Sequence, residues 1–141
     1  MAYVSQEMKK ALAPQIKAVL KKYKVKGTIG VRNHSSLVVN LREGGLDFIG
    51  QANRDNKEHA ERRGTHFHEV KGNYQANHYY AHESGDKTIG SFFKELVEAM
   101  NGKGSSVQNF DKSDIQSDYF HVGWYIDINV GQWDKPYIYA K

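Results

Sequence analysis

FDKSDIQSDYFHVGWYIDINVGQWDK, from Phe110 to Lys135, is the stretch whose reading decides the fold. Within it Trp124, Ile126, Ile128 and Val130 alternate with Tyr125, Asp127 and Asn129. That period of two marks a strand with one buried face and one wet face. The β-branched and aromatic residues that fill it are the types strands favour. Asp111, Asp114 and Asp118 precede it in a segment of turn and cap residues, and Gly131 with Asp134-Lys135-Pro136 closes it as a turn. The reading is a central strand, Trp124–Val130, between two polar loops.

Working outward, Thr88–Met100 is the strongest helix. Ile89, Phe92, Phe93, Leu96, Val97 and Met100 recur at spacings of three and four, with Asp86 as N-cap and Gly102 as the stop. Ser5–Tyr23 is a second helix, with its stripe at Met8, Leu12, Ile16, Val19, Leu20 and Tyr23. Pro14 interrupts it, so the expectation is a kink near Lys10 or a second helix beginning at Pro14. Thr28–Asn33 and Ser36–Arg42 read as a hairpin joined at His34-Ser35. Leu46–Gly50 reads as irregular or strand-like. Residues 51–86 form a polar insertion: an exposed helix at Asn53–Arg63 with Glu58 and Arg62 paired, a short strand at Thr65–Val70, and an unpatterned remainder. Tyr137–Tyr139 is a candidate edge strand. The whole predicts a single α+β domain over 1–141. Its sheet has three or four antiparallel strands with helices packed on one face, in the order α-β-β-long loop-α-β.

Composition narrows the class. The chain of 141 residues has no cysteine, so disulfides and thiolate metal sites are excluded. No apolar run approaches the roughly 20 residues that cross a membrane, and MAYVSQEMKK lacks the apolar core of a signal peptide. The expectation is a soluble intracellular protein. The net charge is +4, and the excess is uneven: Met1–Lys26 holds seven lysines and one acid, Glu7. Lys9, Lys10, Lys17, Lys21 and Lys22 on the first helix are therefore candidate contacts to the phosphates of a nucleic acid.

Two stretches, VLKKYKVKGTIGVRNHSSLVVNL (19–41) and SDIQSDYFHVGWYIDINVGQWDKPY (113–137), resemble a family of small uncharacterised proteins of tailed bacteriophages. They are also similar to the large polyvalent protein-associated domains of phage and mobile-element polyproteins. In that pattern a helix ending in a KKY-like basic turn leads into a "VR…S…V" strand pair, and a later helix leads to a "D…Y" strand. The resemblance spans Met8–Glu43 and Thr88–Tyr137 and leaves out residues 51–86. It implies a phage protein acting in the host bacterial cytoplasm, in host takeover or counter-defence, and it carries no catalytic signature.

Among candidate sites, His66 with His68 and His78 with His82 have spacings that can bring two imidazoles to one metal, on a strand and on a helix respectively. They are the basis of an alternative reading as a His-rich metal-dependent enzyme. No HExxH motif, phosphate loop or nucleophile elbow accompanies them. Asp111, Asp114, Asp118 and Asp127 are candidate acid–base or hard-metal residues, or turn residues, with Asp118 a partner for a base such as Arg32. Nine tyrosines and two tryptophans supply interface anchors, and Tyr74, Tyr79 and Tyr80 stand outside any periodic pattern. The balance points to a non-catalytic protein without a cofactor or resident metal that binds a host protein. Its surface would be the hairpin tip and the loops flanking the last strand: Asn33, His34, Asp118, Tyr119, His121, Tyr125 and Trp133. Trp133 serves either as an anchor or as a cap folded back on the sheet.

Overall fold

The structure, a computed structural model, describes residues 3–105, 107–109 and 123–139. The first element, α1 (Gln6–Lys22), opens on a capping box: the Ser5 hydroxyl accepts the Met8 N–H at 3.1 Å, and the Met8 sulfur takes the Ser5 N–H. The helix runs through Pro14 without a break, so no second helix starts there. Pro14 is exposed, and water can serve the Lys10 carbonyl that proline leaves without a donor. Leu12, Ile16 and Leu20 form the buried stripe.

Next come β1 (Val25–Arg32) and β2 (Ser36–Gly44), an antiparallel hairpin. Residues 46–50, expected to be irregular or strand-like, instead open a helix. This α2 (Phe48–Arg63) is capped by Asp47, which accepts the Gly50 N–H, and ends at Gly64 in the left-handed conformation. Its first turn buries Phe48, which touches Phe92, Phe93 and Tyr137 with ring centroids 5.1–5.3 Å apart. The expected strand at Thr65–Val70 does not form; the Val70 backbone pairs instead with the Asn53 side-chain amide, at 2.6 and 2.9 Å. After it lie β3 (Tyr74–Ala76), a 3-10 turn at Ala81–Glu83, and α3 (Lys87–Met100), whose first N–H groups are taken by the Asp86 carboxylate. The last strands are β4 (Tyr125–Val130) and β5 (Ile138–Tyr139).

The class is α+β, but the sheet is mixed. The order is β1-β2-β4-β3, with β5 on β2. The expectation of an antiparallel sheet fails at its centre, where β2 and β4 are parallel, Ser36 opposite Tyr125 and Leu41 opposite Val130. The polar insertion contributes an edge strand, since β3 pairs antiparallel with residues 128–130. Leu37, Val39, Leu41, Ile126, Ile128 and Val130 project to one face and meet Leu12, Ile16, Phe48, Phe92, Leu96 and Met100 from the helices. Trp124 closes one end of this core, its indole N–H donating to the Met100 carbonyl at 3.0 Å.

Candidate binding face

No helix among the described residues covers the other face of the sheet. The alternation that sends Ile126 and Ile128 to the core sends Tyr125, Asp127 and Asn129 here, beside Ser36, Val38 and Asn40 of β2 and Arg32 of β1. The Arg32 guanidinium lies 2.6 Å from the Asp127 carboxylate, so its side chain passes over β2, the strand between them. Gln75 of β3 donates to the other Asp127 oxygen at 2.9 Å. A polar strap thus spans all four strands of the main order. Beneath it Ser36, Val38 and Asp127 are buried although they sit on the uncovered face, Asp127 with 4% of its surface exposed. The expected wet position of Asp127 is corrected accordingly, and the base Arg32 is partnered by Asp127.

A second rung runs below the strap. Asn129 donates its side-chain amide to the Asn40 carbonyl oxygen at 3.1 Å. Among the described residues the Asn40 NH2 and the Asn129 side-chain oxygen are left to serve a ligand as donor and acceptor. Arg32, Asn40, Gln75, Asn129 and Trp133 line a groove of about 630 Å³ along this face.

Trp133 stands on the rim, 87% exposed, and therefore does not cap the sheet. Its turn is stiff. Gln132 and Lys135 exchange two backbone hydrogen bonds, at 2.9 and 3.1 Å. At the base, the Gly131 N–H reaches Leu41, the Tyr137 N–H reaches the Gly72 carbonyl, and the Tyr137 hydroxyl donates to the Leu46 carbonyl. Gly131 has φ +69°, and a Cβ there would stand 2.6 Å from Gly72 O and Tyr137 N, so the turn's foot admits only glycine without a shift.

The opposite end of the groove is the hairpin tip. Asn33 and His34 both have positive φ, 53° and 55°, as a type I′ turn requires. The tip holds the N-terminal segment through the Val4 N–H to the His34 carbonyl, 2.8 Å, and it meets β4 through the Tyr125 N–H to Ser35, 2.9 Å. Asn33, His34 and the half-exposed Tyr125 are therefore brought together, while Trp133 lies beyond the far end of β4, a strand roughly 20 Å long. Asp118, Tyr119 and His121, with Asp111 and Asp114, lie outside the described residues.

The histidine quartet divides. His66 and His68 face each other with ring centroids 5.9 Å apart in a cleft with His59, whereas His78 and His82 line a different cavity with Trp124 and Tyr125. His78 follows the short strand β3 and His82 sits in the 3-10 turn, so the single helix expected to align them is not there. Among the described residues no three His, Asp or Glu side chains are placed to hold one metal ion. Burial lowers the pKa of His78, against the pull of the Asp127 carboxylate. Of the α1 lysines, Lys10, Lys17 and Lys21 share the outward stripe, Lys9 is half-buried, and Lys22 binds Glu95 of α3 at 2.7 Å. That contact, together with the Tyr23 hydroxyl on the same carboxylate, holds the Glu95 pKa down. No helix among the described residues is long and apolar enough to cross a membrane.

The strap and the amide rung were not anticipated. Alternation assigns Asp127 and Asn129 to the polar face, but Arg32, Asn40 and Gln75 join them only once the strand order is known.

Comparison of the chain with family models, with curated proteins and with solved structures finds no match.

Proposed function

We propose that this is a non-catalytic binding protein whose ligand surface is the sheet face opposite the described helices, with Trp133 as its anchor and a protein as its partner. The observation that carries the reading is Trp133 itself: a large aromatic side chain, almost wholly exposed, on a turn pinned at its foot by three backbone-directed hydrogen bonds. An aromatic anchor held in place before contact loses little conformational freedom on binding, which is the way interface hot spots gain their strength. The groove beside it offers the donor and acceptor of Asn40 and Asn129, the pairing that an extended peptide backbone needs. The resemblance to tailed-phage proteins supports a bacterial host protein as the partner, with host takeover or counter-defence as the setting.

The test is capture of a host protein from bacterial lysate by wild type and by Trp133→Ala, followed by affinity measurement on the isolated partner. The expected result is a loss of about 2 kcal/mol or more, roughly thirtyfold in Kd, with the melting temperature nearly unchanged. Undiminished affinity in the variant overturns the reading.

A further inference from the structure

A second concavity lies on the helix side of the molecule, between α2 and the segment 77–85. Its volume is about 280 Å³, near the lower end of ligand-binding pockets. Phe48, Ala76, Ile89 and Phe93, all buried, contribute its apolar floor. The walls add Tyr74 and Tyr80, the carboxylates of Asp55 and Glu83, and one imidazole, His59; no lysine or arginine among the described residues lines it. In a chain of net charge +4, this is a local reversal of sign.

Asp55 is built into place. Its carboxylate accepts Gln51 Nε2 at 2.9 Å, Ser84 Oγ at 3.2 Å and the Gly85 N–H at 3.1 Å. A Cβ at Gly85 would stand 2.7 Å from that carboxylate, so a larger residue there would push the Asp55 side chain aside. All three donors are neutral. Neither Asp55 nor Glu83 joins an ion pair among the described residues, whereas Asp47, Glu95, Glu98 and Asp127 do. The charge on Asp55 is oriented but not neutralised. Close to it the Tyr74 hydroxyl makes no hydrogen bond among the described residues, and burial pushes its pKa up, which keeps it a neutral donor and acceptor. Aromatic rings beside an uncompensated carboxylate form the surroundings in which a desolvated ammonium is stabilised, by ring quadrupole and by charge together.

We propose that this cleft binds a small organic cation, an ammonium group on a short apolar stem. The stem lies on Phe48, Ile89 and Phe93, and the ammonium meets Asp55 and Glu83 between the rings of Tyr74 and Tyr80. A free amine and the lysine side chain of another protein share this chemistry.

The experiment is a titration of the full chain with n-butylammonium, with 1-butanol as the neutral match, and with N-acetyl-lysine methylamide, followed through the amide resonances of Ala76, Ala81, Ser84 and Gly85. Saturable shifts with n-butylammonium, at least about tenfold tighter than with 1-butanol, are expected. Glu83→Gln and Asp55→Asn should each weaken the cation by about tenfold and leave 1-butanol unaffected. Because Asp55→Asn also disturbs the Ser84 and Gly85 contacts, Glu83→Gln, at an exposed position whose side chain has no partner among the described residues, is the decisive variant. Tighter binding of the lysine amide than of n-butylammonium assigns the ligand to a protein side chain, and the reverse order assigns it to a free amine; either order supports the site. No saturable shift, equal binding of alcohol and ammonium, or indifference to Glu83→Gln overturns the proposal.

Discussion

The two faces of the sheet are made by the same strands and held by different forces. On the helix-covered face, β2 and β4 present Leu37, Val39, Leu41, Ile126, Ile128 and Val130 to three helices, and the loss of apolar surface to water is what binds the layers. On the free face the same two strands present Ser36, Val38, Asn40, Tyr125, Asp127 and Asn129. There burial is produced by reach, because one arginine crosses a strand to meet a carboxylate that a glutamine also holds. A face that no described helix covers is therefore not a solvated face. Its order depends on a few directional contacts, and the covered face depends on many weak ones.

The contrast can be broken first at the covered face. Leu96 of α3 is fully buried, and Leu96→Ala should cost about 2–5 kcal/mol, read from denaturant unfolding. A loss well under this range would mean that α3 is not a structural layer. Removal of Asp127 comes next. Asp127→Ala deprives Arg32 and Gln75 of their shared partner and should cost about 1–3 kcal/mol. The more informative comparison is with Arg32→Ala. It leaves the buried carboxylate with Gln75 alone among the described residues, and a cycle through the double variant should reveal coupling at low salt that shrinks as salt is added, since the Arg32 end is exposed. Coupling absent at low salt would reduce the strap to a geometric coincidence.

The smallest effect belongs to His78, close enough to Asp127 to feel its charge. Burial sets its folded pKa below the unfolded value of about 6.5, so the unfolded chain takes up the proton first as pH falls. Stability should therefore decline as pH drops below about 6.5, until the folded His78 is itself protonated. His78→Asn should flatten that part of the profile in thermal melts at stepped pH. An unchanged slope would show that other groups carry it.

Where local sequence carried a strong period, the elements were legible. The apolar residues of α3 recur without interruption from Ile89 to Met100, and β4 alternates without error from Trp124 to Val130. The hairpin and the Tyr137–Tyr139 edge strand were also readable, as was the Glu58–Arg62 pair. The first turn of α2 was missed, because Leu46-Asp47-Phe48 reads as a short apolar run unless Asp47 is recognised as an N-cap. The parallel pairing of β2 with β4 was out of reach for another reason: alternation tells which face a residue takes and is silent on the neighbour and its direction. The site followed the same division. Trp133 stood out because it breaks the alternation, and Asn33, His34 and Tyr125 do converge, but the Arg32–Asp127–Gln75 strap exists only through the strand order.

That strand order also governs how the molecule assembles. Helix α1 and the β1–β2 hairpin touch one another through short stretches of chain, whereas Ser36 must find Tyr125, 89 positions further on. Closing so long a segment delays the contact relative to the hairpin. During synthesis the apolar edge of β2, with Leu37, Val39 and Leu41, is finished well before β4 leaves the ribosome. Until then it is an open template for another copy of the same segment. The step most exposed to error in the life of this protein is therefore the wait for its last long strand.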